Sequence, residues 1–113
     1  MNIVQEIIDI RTEIMREIDP HRAVELLLKL SAILGSASEE WIEAEMNYNI
    51  LYKSLTNQYE KVSEARANAK ASEEYKQKLI TESQTESINK LIDSLKYLIK
   101  MKMNEMEKSK YQT

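Results

Sequence analysis

The chain has no cysteine, and its 113 residues include one glycine, one proline and one histidine. Each scarcity removes a class of protein. Without cysteine there is no disulfide framework, no thiolate zinc site and no cysteine nucleophile. With a single glycine and a single proline, the tight turns and corners of a β fold lack their usual residues, and helix is what remains. A glycine-rich phosphate loop is excluded on the same count. His21 has no second histidine and no fixed carboxylate partner, so it is a poor metal ligand or base. Bundle di-iron sites need Glu-x-x-His pairs on two helices, and the sequence has none. The longest apolar run, LLL at 26 to 28, falls far short of a membrane span. The opening MNIVQEIIDI carries Glu6 and Asp9 and no basic residue, unlike a signal peptide. The expectation is a soluble, cytoplasmic protein that does not contact membranes.

What is present fits an amphipathic helical protein that folds: 42% of residues are hydrophobic and 31% are charged. The length suits one domain. Ile3, Ile7, Ile10, Ile14 and Ile18, widened by Val4, Ile8 and Met15, predict a first helix over about 3–18. Asp19 and Pro20 stop it and start the next. PHRAVELLLKLSAILG is apolar on most sides and predicts a buried helix over 20–34, with Gly35 as a left-handed C-cap. Ser36 or Ser38 then reads as an N-cap, with Glu39 and Glu40 in the first turn. A third helix over 38–71 carries a heptad seam: Trp41, Tyr48, Leu55, Val62 and Ala69, with Ala44, Leu51, Gln58 and Ala65 between them. The fourth, over 73–109, holds the stripe Ile88, Ile92, Leu95, Ile99, Met103 and Met106. TESQTES at 81–87 is polar on every face and reads as a solvated turn, a kink or a loop, and EKSKYQT at 107–113 as a polar tail.

Charge decides between a hairpin and a rod. Residues 36–64 carry six acids and two bases, whereas 88–113 carry three acids and six bases. A reversal near 71–73, where Ser72, Glu73 and Glu74 have the form of a cap and first turn, sets Glu39, Glu40, Glu43 and Glu45 beside Lys96, Lys100, Lys102 and Lys108. It also sets Trp41 beside Met101 to Met106. A continuous rod would leave the blocks more than ~60 Å apart, where salt screens them. The hairpin is the favoured reading and the rod its alternative.

No constellation announces a chemistry. Serines without a credible base suggest capping, not nucleophilic catalysis. Glu39 with Glu43, and Glu60 with Glu64, have chelating spacing, but solvated helix faces look the same. No catalytic, cofactor-binding or metal-ligating residue is assigned, and no cofactor is expected. Candidate interface residues are Ile3, Ile7, Ile10 and Ile14 on the first helix, Trp41, Tyr48, Tyr52 and Tyr59 on the third, and Met103 and Met106 on the fourth. Tyrosine and tryptophan anchor protein interfaces, and methionine suits adaptable contacts. The aromatic series lacks the interleaved bases that stacking on single-stranded nucleic acid requires, Lys53 and Lys61 excepted. The lysines near the C-terminus suit phosphate contact, with a partner helix ranked first, nucleic acid second and membrane last.

EEWIEAEMNYNILYKSLTNQYEK, ARANAKASEEYK and INKLIDSLKYLIKMK, which together span about 39–102, resemble small all-helical accessory proteins encoded by phages and prophages. The resemblance implies a protein that acts by binding, in host cytoplasm. The expectation is therefore an all-α, elongated bundle of three to four helices with a long antiparallel, coiled-coil-like hairpin, homo-oligomeric and most simply a dimer. It would be a non-enzymatic interaction protein that modulates a host or phage nucleic-acid or defence enzyme. The alternatives are an oligomeric nucleic-acid-binding recombination accessory protein and a virion or scaffold component.

Overall fold

The structure, a computed structural model, describes residues 2–16 and 18–111, without the side chains of 109–111. The protein is all-α. Among the described residues there are four helices and no strand: α1 (Ile3–Ile14), α2 (Pro20–Gln58), α3 (Val62–Lys70) and α4 (Glu73–Tyr111).

Asn2 opens α1, its side-chain oxygen accepting from the Gln5 N–H at 3.3 Å. The helix ends at Ile14, short of the expected Ile18, and the reason lies in residues 19 and 20. Asp19 caps α2 by accepting from the Arg22 N–H at 2.9 Å, and Pro20 biases the residue before it away from helical geometry. The residues between must therefore turn; of these, position 17 is outside the described residues. Arg22 reaches back across the turn to Glu13, with Nη2 donating to Oε2 at 3.0 Å and Nε donating to Oε1. Such a forked pair holds two helix ends at a fixed angle.

α2 passes through Gly35 without a break, and the left-handed cap expected there is absent. Leu30, Ile33 and Ala37 are buried on both sides of it in sequence. Their packing carries the helix across a residue that costs only about 1 kcal/mol relative to alanine. The second and third helices of the sequence reading are thus one helix of 39 residues, and Ser36 and Ser38 lie inside it.

α2 ends instead at Gln58, where no glycine or proline announces a stop. The Tyr59 N–H closes the last turn on the Leu55 carbonyl at 3.0 Å. Lys61 is extended, at φ −99° and ψ 128°, and offers α3 no side-chain cap. The heptad seam stops here. Val62, expected on it, is 58% exposed, whereas Ala65 and Ala69 are wholly buried. The break folds the alanine face of α3 into its own unit, and small residues allow the backbone close approach there.

The reversal expected near 71–73 is present. Ala71 ends α3 in ordinary right-handed geometry. Ser72 Oγ accepts from the Tyr75 N–H at 3.1 Å and donates to the Ala69 carbonyl. No residue needs a positive φ, which is why the turn forms without glycine. In α4, TESQTES is helical, and Thr81 and Thr85 are buried. Their hydroxyls donate to the Gln77 and Thr81 carbonyls at 2.8 and 2.9 Å, so burial leaves neither unsatisfied. The expected polar tail stays helical as far as Tyr111, and 112–113 lie outside the described residues.

The chain divides into two compact units, 1–35 with 86–113, and 36–85. The first has an aliphatic core of Ile3, Ile7 and Ile10 from α1, Leu26, Leu30 and Ile33 from α2, and Ile88, Leu91, Ile92 and Leu95 from α4. Each such side chain contributes about 1.5–3 kcal/mol when fully buried. The second has a thin core of Ala37, Ala44, Ala65 and Ala69 with Thr81 and Thr85.

Within the second unit α2 and α4 pair antiparallel. Tyr48 meets Tyr75, while earlier in α2 Glu40 and Glu43 line a groove that reaches Thr81, later in α4. This corrects the expected register. Trp41 falls in the unit 36–85 and Met101 to Met106 in the other, so the two are not neighbours within a unit. The acidic block meets more acid: Glu40 and Glu43 share their groove with Glu73 and Glu74.

Candidate interaction surfaces

The sequence-derived candidates separate by burial. Ile3, Ile7 and Ile10 are buried in the first unit, so that face of α1 is consumed by the chain's own core. Ile14 is half-buried at the end of α1. It lines a groove of about 340 Å³ with Ser94, Tyr97, Leu98, Met101, Lys102 and Glu105 of α4, all within the first unit. Tyr97 is 67% exposed at this groove, and further along α4 Met103 and Met106 project into solvent. A tyrosine ring and a row of thioethers stand in water here, with nothing among the described residues covering them.

The aromatic series of α2 is partly internal. Trp41, Tyr48, Tyr52 and Tyr59 are all half-buried. Tyr48 stacks on Tyr52 at 6.3 Å between ring centroids and lies 5.4 Å from Tyr75, inclined at 46°. The Lys78 ammonium sits 4.8 Å from the centre of the Tyr48 ring, within cation–π range. These rings therefore join α2 to α4. Trp41 keeps its indole Nε1 buried without a hydrogen-bond partner.

The second groove, of about 390 Å³, lies in the second unit and is lined by Glu40, Glu43, Asn47, Glu73, Glu74 and Gln77 above Ala44 and Thr81. Among the described residues no group of three or more histidines or carboxylates is placed to hold a metal ion. Glu13 is held below the usual carboxylate range, first by the hydrogen bond from Arg22, against a smaller desolvation that raises it; Arg22 is raised in turn. That pair braces the α1–α2 turn and lines neither of these two grooves. His21 is exposed in the first turn of α2.

Two exposed features went unmarked in the sequence. Tyr97 lies outside the stripe Ile88, Ile92, Leu95, Ile99, Met103 and Met106 that the sequence predicts for this helix. Ile42, Met46 and Ile50 recur every four residues on the side of α2 away from the heptad seam, and all three are exposed.

The fold and these surfaces define an all-α protein whose distinctive exposed features are apolar helix faces. No described helix is long and apolar enough to cross a membrane. No protein-family model, no curated protein and no solved structure matches the chain.

Proposed function

We propose that the protein is a non-enzymatic, cytoplasmic interaction protein that binds another protein and modulates it, and that it acts as a homo-oligomer. The observation that carries this reading is the groove of Ile14, Tyr97, Leu98 and Met101, with Met103 and Met106 exposed beyond it. Exposed tyrosine and methionine cost solvation in the free chain and supply anchoring and adaptable contact when covered. Their arrangement along one helix suits an amphipathic helix of the partner, laid into the groove by its apolar face. The resemblance to phage-encoded accessory proteins supplies the context, a nucleic-acid or defence enzyme of the host or phage as target.

Affinity capture from the native host with mass spectrometry tests this reading, run in parallel on the wild type and on a Tyr97→Ser, Met101→Ser variant. A protein retained by the wild type and lost from the variant is the expected result. Equal recovery by both, or recovery by neither, overturns the reading.

A second reading draws on the exposed lysines of the same helix, Lys96, Lys100 and Lys108. They suit contact with nucleic-acid phosphates, and binding to single-stranded DNA would then fall steeply as salt rises.

A further inference from the structure

The outward face of α2 within the second unit has a symmetry of its own. Ile42, Met46 and Ile50, at 54%, 59% and 66% exposure, form an unbroken apolar row at intervals of four. This row lies opposite the inward residues Ala37 and Ala44, which are buried, and so cannot be covered by the packing of this unit. Glu39 and Lys53 lie on the same face, seven residues before and seven after Met46, both exposed. Neither has an ion-pair partner among the described residues.

A two-fold rotation about an axis through Met46 brings a second α2 alongside, running the opposite way. It places Met46 on Met46 once, on the axis, and Ile42 on Ile50 of the copy and Glu39 on Lys53 of the copy, each of these two pairings occurring twice. An isologous interface demands this self-complementarity, with i meeting j and j meeting i. An arbitrary exposed stripe has no reason to carry opposite charges at equal distances from its centre. Parallel pairing would set Glu39 against Glu39 and Lys53 against Lys53, where like charges repel.

We infer that residues 39–53 of α2 form an antiparallel homodimer surface centred on Met46, with Ile42 and Ile50 filling it and Glu39–Lys53 pairs closing both ends. The inference gives the oligomer proposed above its surface and does not depend on the α4 groove. Three apolar side chains from each copy make a contact at the small end of specific interfaces, below about 1,200 Å² in total. The dimer is therefore concentration-dependent and exchanges with monomer.

Sedimentation velocity across micromolar to millimolar concentration tests it, with helicity of every variant checked by circular dichroism. The wild type shifts from monomer to dimer over this range. Met46→Lys, which sets two ammonium groups against each other on the axis, remains monomeric. Glu39→Lys and Lys53→Glu each weaken the dimer, and the double variant carrying both restores it. Because the chain has no cysteine, Met46→Cys gives a single thiol, which forms an intermolecular disulfide under mild oxidation, whereas Val62→Cys, also exposed, does not. A wild type that stays monomeric throughout, or a dimer that survives Met46→Lys, overturns the inference. So does a charge-swapped double variant no better than its parents. Retention of the captured partner by Met46→Lys separates this surface from the α4 groove; its loss along with the dimer would show the two surfaces to be one.

Discussion

Tyr75 packs against Tyr48 with 5.4 Å between ring centroids, and this contact sets the register of α4 on α2 in the second unit. The core beneath it is built of alanine and threonine, which bury little apolar area, so the rings supply much of the packing between the two helices there. Lys78 lies over the Tyr48 ring one turn further along α4, and Tyr52 stacks on Tyr48 one turn further along α2.

Tyr48→Ala and Tyr75→Ala should therefore each destabilise the protein by about 2 kcal/mol, less than the ~3–5 kcal/mol of a fully buried aromatic truncation because both rings are half-buried. The double variant should cost less than the sum of the two, by about 0.5–1.5 kcal/mol of ring–ring coupling. Urea denaturation of the four chains measures the cycle. Strict additivity would mean that the two rings stabilise the protein independently.

Gly35 gives a prediction opposite in sign to the one its sequence context suggests. As a left-handed C-cap it would resist alanine, which disfavours positive φ. In the structure it is an interior residue of α2 without positive φ, and a Cβ added there meets nothing within 4 Å. Gly35→Ala should raise stability by about 0.5–1 kcal/mol through reduced backbone freedom in the unfolded chain. A fall in thermal midpoint would restore the capped, two-helix reading of 20–71.

The contrast shows what the sequence made legible. Composition excluded β structure, and the isoleucine spacing of α1 marked a face that is buried at Ile3, Ile7 and Ile10. The reversal at Ser72 is present, yet the charge argument for it does not describe the second unit, where Glu40 and Glu43 share a groove with Glu73 and Glu74. Two boundaries failed for one physical reason. Glycine is a strong local signal but costs little, and the burial of Leu30 and Ile33 before it and of Ala37 after it overrides it; the break at 59–61 carries no local signal and is selected by burial of Ala65 and Ala69. The exposed row of Ile42, Met46 and Ile50 could be assigned only once the opposite face was known to be buried.

Ser72 caps the N-terminus of α4, and it does so at a reversal that no glycine supports. Ser72→Ala removes the acceptor for the Tyr75 N–H and should cost about 1 kcal/mol; Ser72→Gly should cost only a few tenths. Because the cap sits where α3 hands over to α4, amide exchange at Tyr75 and Lys76 should accelerate in Ser72→Ala more than exchange at Leu91 or Leu95. Uniform acceleration would place the effect in global unfolding instead.

The Glu13–Arg22 pair predicts an acid-dependent term with a definite sign. The Glu13 carboxyl is lowered in the folded chain, chiefly by the hydrogen bond from Arg22, while in the unfolded chain it returns to its ordinary value of 4.5. At neutral pH both states are ionised there, and the pair contributes its full stabilisation. As pH falls past 4.5 the unfolded chain takes up a proton that the folded chain still excludes. The contribution shrinks until pH passes below the lowered folded pKa, where it is gone. Arg22 stays charged throughout and adds no slope of its own. The two side chains retain 32% and 44% of their exposure, so water screens the pair and the term is modest. Glu13→Gln should therefore lower unfolding stability more at about pH 7 than at about pH 3. Urea titrations of both chains at the two pH values decide it, and a difference that persisted undiminished in acid would assign the role of Glu13 to packing instead of charge.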